Sequence, residues 1–284
     1  MPLFSIITPT YNRADLLPEM IQSVLDQTFA DWELLIIDDG SVDHTADVVK
    51  AYTTDSRIKY IKKENSGAAD SRNVGADCAV GSFLVFLDSD DIALENWLEQ
   101  VSLQILSDTG LICVAALRSF ENGKKIIEDP LFETSIFGNN QRLKFTAGSF
   151  FIRKDLFFEV GKYDSQMSAN QHTDLGFRLM IVLKGKKLKV LPIEKPLVQI
   201  NVHEGDRIRT NWEKIRHGNL RFIEKHHDFM SNSDKRGISN FYAISAFASY
   251  KLKQRKDSLT YMIKAIKYNP GSYINYVRLV RYLL

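Results

Sequence analysis

The first 117 residues alternate short apolar runs with stretches in which apolar side chains recur every three or four positions. Continuous apolar runs predict strands that are covered on both faces, as in a parallel sheet. The intervening spacing, as in Leu17, Ile21 and Val24, predicts helices. The predicted strands are Phe4–Thr8, Trp32–Asp38, Ile58–Lys62, Phe83–Leu87 and Leu111–Leu117. This order predicts an α/β fold with a mainly parallel central sheet flanked by helices.

The pattern changes twice along the rest of the chain. Residues 118–200 mix strand and helix signals, which predicts an α+β elaboration of the same sheet, and from about residue 211 the spacing is helical only. We therefore expect one domain over 1–210, with halves 1–117 and 118–210, and a C-terminal helical appendage over 211–284. The later predicted elements are strands at Gly123–Ile127, Phe145–Ile152 and Leu188–Leu191, and helices at Lys154–Val160, Asp174–Leu183, Asn211–Asp228, Gly237–Lys253, Asp257–Tyr268 and Ser272–Leu284.

Composition places the 284 residues among ordinary globular proteins, with 44% hydrophobic and 25% charged residues. We see neither a signal peptide at the start nor an apolar run of about 20 residues that would span a bilayer. Cys78 and Cys113, the two cysteines, lack metal-ligand spacing. These features predict a reduced, cytoplasmic protein.

Charge is unevenly distributed between the two parts. Residues 201–284 carry 16 Lys/Arg and 7 Asp/Glu, a net charge of +9, whereas residues 1–200 have a net charge of −7. A basic surface favours anionic partners such as lipid headgroups. The basic, tyrosine-rich tail leaves three interpretations open: a packed helical subdomain, a homodimer contact, or peripheral contact with the inner face of a membrane.

Two acidic clusters follow predicted strands. Asp38-Asp39-Gly40-Ser41 ends the second strand, and Asp88-Ser89-Asp90-Asp91 follows the fourth. Both clusters should lie at the carboxyl rim of the sheet, where open α/β folds bind ligands. The Asp-x-Asp spacing of Asp88 and Asp90 suits Mn²⁺ or Mg²⁺, which prefer hard oxygen ligands. The alternative is that such aspartates serve as turn and helix-cap residues, and we favour it for Asp38 and Asp43.

Two further segments reach the same rim. Thr8-Pro9-Thr10-Tyr11-Asn12-Arg13 ends the first strand, where Tyr11 could either hold a nucleobase or belong to the core. Residues 66–75, Ser-Gly-Ala-Ala-Asp-Ser-Arg-Asn-Val-Gly, begin a helix. The helix start and Arg72 favour anions, although small residues equally suit close packing of helix on sheet.

In this order, the four segments resemble the family 2 glycosyltransferases of GT-A fold. The resemblance is dense over residues 3–100, weaker to about Arg178, and absent from the C-terminal helices. It implies that 1–117 binds a nucleotide-sugar and that 118–210 binds the acceptor. The Gln-x-x-Arg-Trp motif of processive members is missing, so the resemblance is to non-processive, bacterial-type enzymes.

The resemblance also implies roles for single residues. Thr8, Pro9 and Tyr11 would border the nucleoside, and Asp39 would accept a hydrogen bond from the base, typically uracil. Arg72 would contact the donor. Asp88 would lie near the donor ribose and sugar, and Asp90 would bind the metal. The implied donor is a UDP-sugar, the implied acceptor is a saccharide or lipid-linked saccharide, and no nucleic-acid partner is expected.

The implied general base is an acidic residue at the start of a later helix, often within a Glu-Asp pair. Here Thr173 precedes Asp174, so Asp174 alone can fill the role, and the alternative is an ordinary acidic residue at a helix N-terminus. His203 matches a loop histidine near the diphosphate or metal, and could equally be a surface residue. The remaining histidines, predicted to lie at the surface, are His44, His172, His217, His226 and His227.

Together these features predict an inverting, metal-dependent transferase that acts in surface polysaccharide or glycoconjugate assembly. A sugar nucleotidyltransferase is one alternative, but it would need a glycine-rich basic phosphate loop after the first strand. A non-catalytic nucleotide-sugar-binding module is another, but the chain retains Asp90 and Asp174. The transferred sugar, the acceptor and the linkage do not follow from the sequence.

Overall fold

The computed structural model describes residues 1–132, 142–143, 145–202 and 211–283. The strands are β1 (Phe4–Thr10), β2 (Trp32–Asp38), β3 (Ile58–Lys62), β4 (Phe83–Phe86), β5 (Ile92–Ala93), β6 (Thr109–Phe120), β7 (Lys125–Glu128), β8 (Leu131–Phe132), β9 (Arg142–Leu143), β10 (Phe150–Arg153) and β11 (Lys189–Val202). The helices are α1 (Leu17–Leu25), α2 (Thr45–Lys50), α3 (Ala68–Cys78), α4 (Trp97–Ser102), α5 (Lys154–Glu159), α6 (Gln171–Lys186), α7 (Trp212–Ser233), α8 (Lys235–Lys251), α9 (Arg255–Tyr268) and α10 (Tyr273–Leu283).

One large sheet organises the first part of the chain, in the strand order β3-β2-β1-β4-β10-β6-β11-β5, with β7 paired to β6. Strands β3, β2, β1 and β4 are parallel, and β10 is antiparallel to both β4 and β6. Therefore β6, and β11 parallel to it, run in the same direction as β1. The prediction of an α/β fold with a mainly parallel sheet is confirmed.

The sheet is buried on both faces because its central strands are apolar at successive positions. Every residue of β1 and β2 is buried. Since side chains alternate across a strand, Ile6 and Leu34 pack into one core, whereas Ile7 and Leu35 pack into the other. Helices α1 and α4 cover the first face, and α3, α5 and α6 cover the second.

Strand β11 extends well beyond the predicted Leu188–Leu191. Pro192 and Pro196 disrupt its apolar pattern, which is why the sequence predicted too short a strand. The structure accommodates Pro196 with shifts of register between Ile193 and Pro196 and between Pro196 and Val198, whereas Pro192 stays in register opposite Cys113. The predicted strand Phe145–Ile152 instead begins at Phe150, after a turn in which Gly148 has a φ of +72°.

The chain divides into two compact units. The described residues of the first are 1–132, 143, 145–164 and 175–202, and those of the second are 142, 165–174 and 211–283. In the second unit, α7 packs against α8, α8 against α9, and α9 against α10. Its first two helices begin at capping side chains, because Asn211 accepts a hydrogen bond from Lys214 N and Asp234 accepts one from Gly237 N. The predicted boundary at residue 210 stays a prediction.

Two expectations about the chain can be compared with the structure directly. Among the described residues, no helix combines the length and the hydropathy that a membrane span requires. Cys78 and Cys113 are both free thiols, the first exposed and the second buried.

Candidate functional site

The carboxyl ends of β1, β2 and β4 lie side by side, because these strands are parallel neighbours. Thr10, the last residue of β1, is directly opposite Asp38, the last residue of β2. The loop of residues 88–91 follows β4 at the same edge. The sheet therefore brings the predicted rim segments together.

Asn12 connects the loop after β1 to the loop after β2. Its backbone N–H donates to Ser41 Oγ at 2.9 Å, and its side-chain Oδ1 accepts from Val42 N at 2.9 Å. Asn12 has a φ of 52°, a conformation that asparagine tolerates better than most residues. Thr8 and Pro9 are buried within β1, whereas Tyr11 is exposed, so the core alternative for Tyr11 is wrong.

Asp38 and Asp43 act as turn residues, and this part of the sequence interpretation is confirmed. Asp38 Oδ1 accepts a hydrogen bond from Ser41 N at 2.7 Å, and Asp43 Oδ1 accepts one from Thr45 N at 3.0 Å. The Tyr60 hydroxyl also donates to Asp38. Burial, together with this hydrogen bond, raises the pKa of Tyr60.

Asp39 holds the loop that leads into α3. Its carboxylate accepts from Lys63 Nζ at 2.6 Å, Ser66 N at 2.9 Å and Gly67 N at 2.8 Å. Burial alone would raise the pKa of Asp39, but these three donors lower it overall. Gly67 has a φ of +96°, and no atom lies within 4 Å of where a side chain would begin. The space beside Gly67, just before α3, is therefore open.

Arg72 lies buried on α3 and pairs with the first aspartate of the acidic loop. Its Nη2 donates to Asp88 Oδ1 at 2.6 Å, and its guanidinium lies 5.6 Å from the ring centre of Tyr163. The Asn73 side chain holds the backbone of Tyr163 in place: its Nδ2 donates to Tyr163 O, and its Oδ1 accepts from Tyr163 N, both at 2.9 Å. Tyr163 lies in the stretch before Arg178 where the sequence resemblance is weaker, and the sequence analysis assigned it no role.

Asp88, Asp90 and Asp91 form an acidic trio whose carboxylate oxygens lie within 4.8 Å of one another. Asp91 is buried and accepts a hydrogen bond from Asn201 N at 3.0 Å, while Asn201 Nδ2 donates to Asp90 O at 2.8 Å. Burial and the negative charges of Asp88 and Asp90 raise the pKa of Asp91 well above its usual range. The trio fits a hard divalent cation, which would supply the opposite charge.

Sequence reasoning identified two of these three aspartates and missed both Asp91 and Asn201 as parts of the site. The signal for Asp91 was present, since it is the third acidic residue of the run 88–91. No local signal identifies Asn201, because β11 brings it to the loop from 110 residues further along the chain.

Asp174 is fully buried in the first turn of α6. One carboxylate oxygen is 2.7 Å from His226 Nε2, and Lys225 Nζ lies 3.0 Å from the carboxylate. Both partners come from α7, 51 and 52 residues later. Sequence reasoning did not identify Lys225, and its placement of His226 at the surface was wrong. His226 is buried, and its ring centre lies 4.6 Å from the ring centre of Phe222.

The other histidines differ in exposure. His44 and His217 are exposed, whereas His172 and His227 are half-buried. His227 Nε2 lies 2.8 Å from the Tyr268 hydroxyl, so His227 is a partner of α9 and not a free surface residue. His203, the predicted metal or diphosphate ligand, lies outside the described residues.

Comparison with solved structures identifies the fold. The chain aligns with S. aureus TarS 1–349 in complex with UDP-GlcNAc at a TM-score of 0.72, with 17% identity, over 99% of this chain and 89% of that chain. It aligns with the mannosyltransferase PcManGT from Pyrobaculum calidifontis, in complex with GDP-Man and Mn²⁺, at a TM-score of 0.61, with 14% identity, over 100% and 81%. The sheet with its acidic rim thus has the GT-A fold.

The family follows from the sequence match. The model of Glycosyl transferase family 2 matches residues 5–165, more than half of the chain, so the chain belongs to glycosyl transferase family 2. One relative is the Escherichia coli UDP-Glc:alpha-D-GlcNAc-diphosphoundecaprenol beta-1,3-glucosyltransferase WfgD, 48% identical over 105 residues, which are 36% of this chain and 41% of WfgD. The chain spans between 16% and 41% of the length of the first curated relatives that it matches.

Proposed function

We propose that the chain is an inverting glycosyltransferase that moves a sugar from a nucleoside diphosphate donor, a UDP-sugar, to an acceptor hydroxyl. The observation that carries the proposal is the acidic trio of Asp88, Asp90 and Asp91 at the carboxyl rim, where Arg72 of α3 pairs with Asp88. This is where an open α/β sheet binds its ligand. The setting that we propose is the assembly of a surface polysaccharide or glycoconjugate.

The relatives support this choice of donor and acceptor. WfgD is described as using UDP-Glc and an acceptor on diphosphoundecaprenol, and the TarS structure contains UDP-GlcNAc. PcManGT instead contains GDP-Man with Mn²⁺. We therefore propose a UDP-sugar as donor and a saccharide or lipid-linked saccharide as acceptor. Preferential binding of GDP over UDP would change the donor assignment to a GDP-sugar.

The proposed donor site consists of the rim residues. Tyr11 offers an exposed ring to the nucleoside, next to the buried Thr8 and Pro9. Asp39 would accept a hydrogen bond from the base in addition to the donors that it already holds. Arg72 would share its guanidinium between Asp88 and the donor.

Asp90, with Asp88 and Asp91, would hold Mn²⁺ or Mg²⁺, and His203 is a further proposed ligand. When bound, such a cation neutralises the negative charge that develops on a departing diphosphate. The trio has the oxygen chemistry for this, and the crowding of its negative charges favours a cation.

Asp174 is the proposed general base, which would take the proton of the acceptor hydroxyl as that hydroxyl attacks the anomeric carbon. A single displacement of this kind inverts the anomeric centre. In the structure the carboxylate is buried and holds His226 and Lys225.

The test is thermal unfolding of the protein with UDP, GDP or TDP, each with and without Mn²⁺. A ligand that binds only the folded state raises the midpoint. We expect a Mn²⁺-dependent rise with UDP that Asp90→Asn abolishes. Asp108→Asn is the matched control, because Asp108 precedes β6 at the opposite edge of the sheet and its surface partner is Lys189.

The other outcomes distinguish the alternatives. A nucleotide shift that is the same without Mn²⁺ would contradict the metal site, and no shift with any nucleotide would contradict the donor site. Release of pyrophosphate from a nucleoside triphosphate and a sugar phosphate would favour a sugar nucleotidyltransferase. Donor binding with no transfer to any acceptor would favour a non-catalytic binding module.

A further inference from the structure

The last helix of the described chain, α10, has an apolar face that points to solvent. Tyr273, Tyr276, Val277 and Val280 are 79%, 44%, 60% and 56% exposed. They are spaced at i, i+3, i+4 and i+7, so they form one continuous stripe along the helix. A stripe with this spacing ordinarily faces a core.

The core of the helical unit lies on the other side of α10. Asn275 and Tyr282 are buried, and Leu279 is half-buried. At about 100° per residue, these three side chains share the face opposite the exposed stripe. The stripe is therefore not the packed side of α10, and the helix exposes a second, apolar side to solvent.

Positive charge accompanies the exposed stripe. Arg278 and Arg281 are exposed on one flank of α10, which contains no acidic residue. Across Arg255–Leu283 there are six Lys or Arg residues and one acidic residue, Asp257. Arg278 and Arg281 thus make the flank of α10 beside the stripe basic.

Charge decides between the two occupants that such a face can take. A second copy of the chain would bring its own Arg278 and Arg281 to the same interface, and like charges across an interface cost energy. An anionic lipid bilayer offers negative charge beside an apolar interior, which matches the arginines and the valines at once. Tyrosine rings are also favoured at the level of the headgroups.

We propose that α10 docks the protein on the surface of an anionic lipid bilayer. The helix lies in the plane of the interface, with Val277 and Val280 among the acyl chains and Arg278 and Arg281 at lipid phosphates. Its 11 residues span about 16 Å, far less than a bilayer core of about 30 Å, so the contact is peripheral. This inference goes beyond the proposed sugar transfer and does not depend on it.

The test is sedimentation of the full chain with sucrose-loaded vesicles of phosphatidylcholine alone or with one quarter phosphatidylglycerol. We expect binding to the anionic vesicles only. The double variant Arg278→Gln and Arg281→Gln should bind roughly 30-fold more weakly, since each basic residue near the surface contributes a factor of about five. The double variant Val277→Glu and Val280→Glu should lose binding.

The matched control is the double variant Leu103→Glu and Leu106→Glu. These leucines are also exposed and lie in the first compact unit, and the variant adds the same negative charge. It should bind as the parent does, and thermal unfolding checks that all variants fold. Binding by the valine variant equal to that of the parent would overturn the proposal, as would absence of parent binding. A dimer in sedimentation velocity that only the valine variant disrupts, without vesicle binding, would assign the face to a second copy.

Discussion

Asp91 and Asp174 are both buried carboxylates, but their surroundings have opposite charge. Asp91, in the loop after β4, lies beside Asp88 and Asp90, and its pKa is raised well above the usual range by burial and by these neighbours. Asp174, in α6, holds Lys225 and His226 at 3.0 Å and 2.7 Å. The first site brings three carboxylates together, whereas the second places a lysine and a histidine against a single carboxylate.

The difference shows how a fold can treat the same functional group in two ways. A buried charge needs an opposite charge or hydrogen bonds to be tolerated. The helical unit supplies both to Asp174 from its own side chains. The acidic rim supplies a backbone N–H from Asn201 to Asp91 and pairs Arg72 with Asp88, but it gathers three carboxylates, so a bound cation would stabilise it further. Substitutions that remove these interactions should therefore change the free energy of unfolding in opposite directions at the two sites.

The largest expected effect concerns turnover. Asp174→Asn should lower nucleoside diphosphate release by roughly 10²- to 10⁴-fold, the usual contribution of a general base, while the nucleotide-dependent rise in unfolding temperature is kept. Donor consumption with a panel of saccharide acceptors measures the first, and thermal unfolding measures the second. Asp228→Asn, on the exposed side of α7, is the control and should be neutral. Normal turnover of Asp174→Asn would mean that another carboxylate is the base.

An intermediate effect concerns the stability of the helical unit. His226→Leu removes the hydrogen bond to Asp174 at similar volume, and we expect a loss of about 1–3 kcal/mol in the free energy of unfolding. Urea denaturation measures it, and His226→Gln should lose less because an amide can still donate. His44→Leu replaces a fully exposed histidine and should change stability by less than about 0.5 kcal/mol. Equal losses for His226→Leu and His44→Leu would show that the contact stabilises nothing.

The smallest effect is expected at Asp91, where substitution should raise the free energy of unfolding instead of lowering it. In the presence of a chelator, Asp91→Asn should stabilise the protein by about 1 kcal/mol at neutral pH, since it removes like-charge repulsion and keeps an acceptor for Asn201 N. Because the folded pKa of Asp91 lies above the unfolded value, the wild-type protein loses stability as pH rises from the unfolded pKa through the folded one. The gain should therefore be absent at pH 4 and grow towards neutrality in urea denaturation. A gain that does not change with pH would assign it to packing.

Much of the fold was predictable, because strands β2 and β3 are marked by local apolar runs whose ends coincide with the observed ones. The rim was predictable for the same reason, since parallel strands bring their carboxyl ends to one edge. The length of β11 was not, because its two prolines interrupt the pattern that a strand is recognised by. The surface placement of His226 failed because periodicity along one helix does not reveal which neighbour covers it.

The sequence by itself determined the α/β order, the four rim segments, the family resemblance and the basic character of the tail, all of which depend on residues close together in the chain. Only the tertiary structure decided that Arg72 pairs with Asp88, that Asn201 holds the acidic loop, and that α7 supplies both partners of Asp174. It also decided which side of α10 is packed and which is left to solvent. Charge and apolarity are properties of single residues, whereas the cost or gain of burying them depends on partners that folding brings from up to 111 residues away.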